Sequence, residues 1–398
     1  MKEYGYIEKF QKLGFGLFAH FGLYSILGKG EWYLAAASAP QKQTYEKLPA
    51  RFRVQTQWAR DLVKTAKASG AKYITLTTRH HDGFSLYDTC GLSDYDVMHS
   101  ACGRDLIAEF VRACNEGGIV PFFYHTLLDW HSADYAENFP AYIDYLVQSV
   151  EILCKNYGKI GGFWFDGMWD KPNGDWQEDR LYGTIRKYQP EAMIVNNTGL
   201  SALGKVGHSE IDGVTFERGK PAYADNSDRP RAGEMCQVLN DHWGYAKNDC
   251  NYKSVGELIE NLVDCRKHNC NFLLNTGLLG NGKVNAMDKC LFAQVGKWIQ
   301  ANKGFLYNVR GADMHAENAD ILYDGKYYYA VIKGVPMAAD KNVQSGGETR
   351  QVILPAPVRS AVWLDSGEPV QKTGERSFAV RPFSYGTSYG VRVAEFTV

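Results

Sequence analysis

Apolar positions along the chain fall into two textures. Through roughly the first 300 residues, short continuous apolar runs alternate with longer stretches whose apolar residues recur every three or four positions. The runs are FGLFAHF (15–21), KYITLTT (72–78), VPFFYHT (120–126), GGFWFDG (161–167), AMIVNNT (192–198), GVTFERG (213–219), EMCQVLN (234–240) and CNFLLNTG (270–277). Continuous apolar runs of this length read as strands covered on both faces. Between them, VQTQWARDLVKTAKASGA, DLIAEFVRACNEGG, YIDYLVQSVEILCKNYG, VGELIENLVDCRKHN and MDKCLFAQVGKWIQANKG carry the helical period, several closing on a glycine. GRD at 103–105 reads as the cap of the second of these. Strands alternating with helices predict βαβ units and a parallel sheet.

Eight strand candidates within about 300 residues match a (β/α)8 barrel. A doubly wound sheet is the rival that counting alone leaves standing. The seventh unit has only a weak helical signal, around WGYAKNDCNY. After about Phe305 the texture changes to short Tyr/Val-rich segments bounded by turns, such as DILYDGKYYYAVIKG and SAVWLDSGEPV. The expected division is an α/β catalytic barrel over 1–305 and a C-terminal antiparallel β-sandwich over 306–398.

Bulk composition narrows the function. Net charge is −1, with 44 basic and 45 acidic residues, and no block of one sign. That excludes the basic surface on which nucleic-acid binding depends. No run reaches the length of a membrane span. The N-terminal stretch MKEYGYIEKFQKLGFG lacks the apolar core of a signal peptide, so a cytoplasmic location is expected. The nine cysteines are scattered without a C-x-x-C pair and read as reduced, mostly buried thiols. Aromatics make up 13% of the chain, with 9 Trp and 25 Tyr, a mild pointer to sugar-binding faces.

In a barrel the site lies at the C-terminal ends of the strands. Those ends carry His20; Arg79, His80, His81 and Asp82; Tyr124 and His125; Asp166; Asn196 and Asn197; Glu217; and Asn275, while Glu234 opens the seventh run. Each has a structural explanation of its own. An Asp before Gly, as at Asp166-Gly167, is often a turn or a cap. So many polar ends on one side would need several independent caps. His80 and His81 are adjacent, which on a strand turns them to opposite faces. With no His-Glu-x-x-His and no zinc spacing, a metal site is not expected. Carboxylates among neutral histidines and aromatics suit glycoside hydrolysis, which needs two carboxyl groups flanking the sugar. Asp166, projecting from a rigid strand, is the better nucleophile, and Glu217 and Glu234 both qualify as its acid partner.

The segments GLFAHFGLYSI…GEWY, AKYITLTTRHHDGFSLYDT, SDYDV…GRDLIAEFVRAC, FWFDG and NFLLNTG occur in the order found in α-L-fucosidases of glycoside hydrolase family twenty-nine, which this chain resembles over most of 10–305. The resemblance implies a retaining hydrolase that releases α-linked L-fucose from fucosylated oligosaccharides or glycoconjugates, with no metal or organic cofactor. It implies that Asp166 is the nucleophile and that His20, Glu31, Trp32, His80, His81, Tyr124 and Trp164 form the fucose pocket. The acid/base is expected from Glu217, with Glu234 as the substitute. Two departures border the leaving-group side. NNTG stands at 196–199 where many relatives have N-D-R-W-G, and Gly233 replaces the Trp of a W-E pair. A hydrolase of a related deoxy or galacto sugar, or a non-catalytic fucose-binding homologue, are the other readings.

Overall fold

The computed structural model describes residues 4–337, 349–383 and 386–398. Eight parallel strands close into a barrel in chain order: β1 (Phe15–His20), β2 (Tyr73–Arg79), β3 (Val120–Thr126), β4 (Gly162–Asp166), β5 (Met193–Asn196), β6 (Gly213–Thr215), β7 (Ala232–Val238) and β8 (Cys270–Gly277). Closure is made by β1 on β8, with Phe15 opposite Phe272 and His20 opposite Gly277. The doubly wound alternative is thereby excluded.

The two-residue period of a strand sorts its side chains. On β4, Trp164 points into the barrel while Phe163 and Phe165 stack on each other outside, Phe165 against Tyr182 of the helix Glu178–Tyr188. On β3, Tyr124 joins the interior and Phe123 faces the helices. The interior core of Phe18, Tyr73, Phe122, Tyr124, Trp164, Met193 and Val195 is closed at the bottom by the N-terminal helix Gly5–Leu13, whose Ile7 and Phe10 belong to the same cluster. Tyr73 takes up the space inside β1, where a Cβ on Gly16 would come within 2.3 Å of its ring. All five helical stretches read from the sequence form, and Asp105 caps the helix Leu106–Gly117 by accepting from the Ala108 N–H. No α-helix separates β5 from β6 or β6 from β7; WGYAKNDCNY lies in the loop between β7 and the helix Val255–Lys267.

After the barrel come β9 (Arg310–Gly311), β10 (Asp320–Tyr323), β11 (Tyr328–Lys333), β12 (Arg350–Ile353), β13 (Ser360–Trp363), β14 (Ser377–Val380) and β15 (Val391–Thr397). Five form an antiparallel sheet in the order β13-β15-β11-β10-β9, and β12 pairs with β14. Val352, Phe378 and Val380 of the pair share one core with Ile321, Ala330, Ile332 and Phe396 of the sheet. The sheet is joined to the barrel helices by ion pairs of Lys267 with Asp320 and of Lys333 with Asp264, and by Trp298, whose indole N–H donates to the Val391 carbonyl. All nine cysteines are free thiols; five are buried, and Cys90, Cys250 and Cys290 are exposed.

Candidate active site

A pocket of about 620 Å³ opens at the C-terminal ends of the strands. Its wall includes His20, Glu31, Trp32, His80, His81, Tyr124, Trp164, Asp166 and Glu217, which are all but Glu234 of the residues given a catalytic or fucose-binding role above. No described residue of the C-terminal sheets lines it.

Asp166 ends β4 on the inward side of the alternation. The chain must turn sharply just beyond it, and Gly167 makes that turn at φ 100°. A Cβ at Gly167 would sit 2.7 Å from the Leu128 Cβ. The carboxylate is gripped by several donors. Tyr124 O–H donates to Oδ2 at 2.9 Å, and Trp169 Nε1–H and Asn197 Nδ2–H donate to Oδ1 at 3.0 and 3.1 Å. Charge-assisted bonds of this kind fix the rotamer of the acceptor. His81 Nε2 lies 3.5 Å from Oδ2.

Glu217 reaches the pocket from the loop after β6. The same Asn197 amide nitrogen donates to its Oε2 at 2.7 Å. One nitrogen touching both carboxyl groups holds Asp166 Oδ1 and Glu217 Oε2 within about 6 Å of each other. Burial, and then the neighbouring charge of Asp166, raise the proton affinity of Glu217 above that of an ordinary glutamate.

Burial disfavours the charged form of the pocket histidines. Burial pushes the His20 pKa down to about 3, and it lowers His80 and His81 as well. Their tautomers follow from their partners. Asn275 donates its Nδ2–H to the Trp243 carbonyl, so its Oδ1 accepts from His20 Nδ1 at 2.7 Å. Thr126 donates its hydroxyl to the Leu128 carbonyl and accepts from His81 Nδ1 at 2.7 Å. In both rings Nε2 is left as an acceptor. His80 stacks on Tyr124 at 10° between planes, and its Nδ1 is buried without a partner. Glu31 is buried, with its proton affinity raised accordingly, and accepts the Gly244 N–H at 2.7 Å.

Three sequence expectations change. His80 and His81 do not face opposite ways: β2 ends at Arg79, so the strand alternation no longer governs them and both reach the pocket. Glu234 is not at the mouth. β7 starts at Ala232, two residues earlier than the apolar run suggests, which places Glu234 inside the barrel. There it accepts from Trp164 Nε1 at 2.9 Å and from the Tyr73 hydroxyl, and it does not line the pocket. Arg79 and His125 point outward, to Ser149 of the helix Phe139–Asn156. The sequence reading also passes over Phe18, Trp169, Arg218 and Trp243 as pocket residues. Trp169 was within reach, three residues beyond Asp166 in FWFDGMW. Trp243 and Arg218 sit on loops with no periodic signal.

Residues 1–304 match the family model described as Alpha-L-fucosidase. A solved structure, alpha-L-fucosidase isoenzyme 1 from Paenibacillus thiaminolyticus, superposes with a TM-score of 0.84 at 30% identity, covering 98% of each chain. An alpha-L-fucosidase from Bacteroides thetaiotaomicron shares the fold at TM-score 0.81 and 23% identity, over 98% of this chain and 94% of that one. The tissue alpha-L-fucosidase of Rattus norvegicus is 26% identical over 330 residues, spanning 75% of this chain and 69% of its own. With the family model covering the whole barrel and a solved relative matching end to end, the chain belongs to the alpha-L-fucosidase family of glycoside hydrolases.

Proposed function

We propose that the protein is a retaining exo-α-L-fucosidase acting on fucosylated oligosaccharides or glycoconjugates, with Asp166 as nucleophile and Glu217 as acid/base. One observation carries the reading: a single Asn197 nitrogen bridges the two carboxyl groups. Retaining enzymes need carboxyl groups about 5–5.5 Å apart, whereas inverting ones need about 6.5–9.5 Å to admit a water between. A gap no wider than about 6 Å belongs with the first class.

The residues then divide the work. Asp166 attacks the anomeric carbon as protonated Glu217 gives its proton to the glycosidic oxygen, and the aglycone leaves as an alcohol. Glu217, now a carboxylate, takes a proton from water. That water attacks the same carbon, frees Asp166 and releases fucose with its configuration retained. Nε2 of His20 and of His81 can each accept a sugar hydroxyl. Phe18, Trp164 and Trp243 offer apolar surface to the C6 methyl group of a 6-deoxy sugar.

The test is proton NMR of an aryl α-L-fucoside during hydrolysis. α-L-Fucose should appear first and equilibrate later. First appearance of the β anomer would refute the retaining assignment, and equal release of galactose from the corresponding galactoside would refute the sugar preference.

A further inference from the structure

Trp169 has no part in the steps above, yet it touches the nucleophile. It sits on the short turn Met168–Asp170, directly after Gly167, and its indole N–H donates to Asp166 Oδ1 at 3.0 Å. The turn is buttressed: Tyr135 O–H donates to Asp170 Oδ2 at 2.7 Å, and Asn196 Nδ2–H reaches the Met168 sulfur at 3.5 Å. The other side of the same indole belongs to the mouth of the pocket. Its ring lies within 20° of the Trp32 ring, with centroids 6.0 Å apart. A Cβ on Gly199 would come 3.3 Å from the ring, so the loop that carries Leu200 runs along it.

This end of the pocket differs from the other. Phe18, His20 and Trp164 are no more than 3% exposed, while Trp32 is 45% and Leu200 65% exposed. An exo-acting pocket takes its terminal sugar at the enclosed end, so what the sugar is attached to must leave past the open one. Single exposed apolar side chains are ordinary, but Trp32 and Leu200 both line the mouth of this pocket, where an exposed apolar patch marks a binding surface. A sugar ring held between two faces needs a contact of about 3.5–4.0 Å on each side, roughly 7–8 Å in all. Trp32 and Trp169 are too close to hold a sugar between their faces, so a sugar at the mouth can lie only against the outside of the pair, which we call the shelf.

We infer that Trp169 is a positioning residue that locks the Asp166 carboxylate through its N–H, while its ring, with Trp32 and Leu200, forms a leaving-group subsite for the apolar face of the sugar bearing the fucose. Anything that displaces the shelf therefore displaces the nucleophile. The inference rests on the assignment of Asp166 as nucleophile.

Two variants and two substrates separate the parts. α-L-Fucosyl fluoride has a one-atom leaving group that never reaches the shelf; a fucosylated disaccharide covers it. Trp169→Phe keeps an aromatic ring without the N–H. Its kcat should fall roughly tenfold to hundredfold on both substrates with KM nearly unchanged, the effect of one lost hydrogen bond to a charged group. Trp169→Ala should add a severalfold rise in KM on the disaccharide alone. Unchanged kcat for Trp169→Phe would overturn the positioning role, and a KM rise equal on both substrates for Trp169→Ala would overturn the subsite. Folding of each variant is checked by its melting transition. A wild-type enzyme inert on both substrates would overturn the functional reading and this inference with it. An active wild type with silent variants overturns this inference alone.

Discussion

Glu234 is a buried carboxylic acid with no cation beside it among its hydrogen-bond partners, and that makes its effect on stability calculable. Burial raises its pKa from the ordinary 4.5 to about 7, against the opposing pull of the Tyr73 and Trp164 donors. At about 1.4 kcal/mol for each tenfold change in proton affinity, the difference between folded and unfolded chain is worth about 3 kcal/mol. The unfolded chain loses this proton near pH 4.5 and the native protein keeps it until about pH 7. Across that window the native state binds more protons, so raising the pH lowers stability, and the loss is complete above about pH 7. Glu234→Gln is neutral at every pH and lacks this slope. The melting temperature of the variant minus that of the wild type should therefore rise between pH 4.5 and 8, by on the order of 5 °C. Taking the difference cancels the titration of all other groups. A flat difference would show that burial does not control this carboxyl group. A falling one would show that Tyr73 and Trp164 favour the anion more than burial disfavours it.

Asp166→Ala should fold normally yet lose several orders of magnitude in rate, because it removes a group that acts on the reacting carbon; azide should restore part of the rate and give β-fucosyl azide, and near-normal activity without azide would sink the assignment. Glu217→Ala should fail badly on a natural glycan and lose far less on an aryl fucoside whose leaving group needs no proton; equal losses on both, with the split appearing in Glu234→Ala, would move the acid/base to Glu234. Activity should survive prolonged treatment with EDTA, and a loss restored by a divalent ion would return the site to metal-assisted chemistry.

The sequence was most informative where a regular period operates. On β1, β3 and β4 the two-residue alternation puts His20, Tyr124, Trp164 and Asp166 inside the barrel; His20, Tyr124 and Asp166 were readable from apolar runs that close on polar residues, and Trp164 from the family resemblance. Where regular structure stops, the period stops with it. His80 and His81 lie just past the end of β2, so the alternation gave them the wrong relation. Glu234 shows the opposite failure. Ala232 and Gly233 are small and weakly apolar, so the run seemed to begin at Glu234, although backbone pairing begins two residues earlier. Trp243 is brought to His20 by the Asn275 amide, a contact spanning 32 residues that local pattern does not encode.

The proposed nucleophile and its proposed acid/base are mounted differently. Asp166 ends a strand that an α-helix follows before the next strand, whereas Asn197 and Glu217 follow two short strands, of four and three residues, with no α-helix between either and the next strand. Over evolutionary time, insertions and substitutions in these two loops, beyond the Gly199–Leu200 stretch that runs along Trp169, can reshape what flanks the scissile bond while Asp166 keeps its place on β4. Loops are the parts of a fold that vary most readily among homologues. Linkage preference is thus a trait that can drift while the chemistry stays fixed. For the engineer, randomising 201–210 and 219–230, while leaving Asn197, the Gly199–Leu200 stretch, Glu217 and the buried Ile211 and Asp212 in place, is the economical route to a changed leaving-group preference.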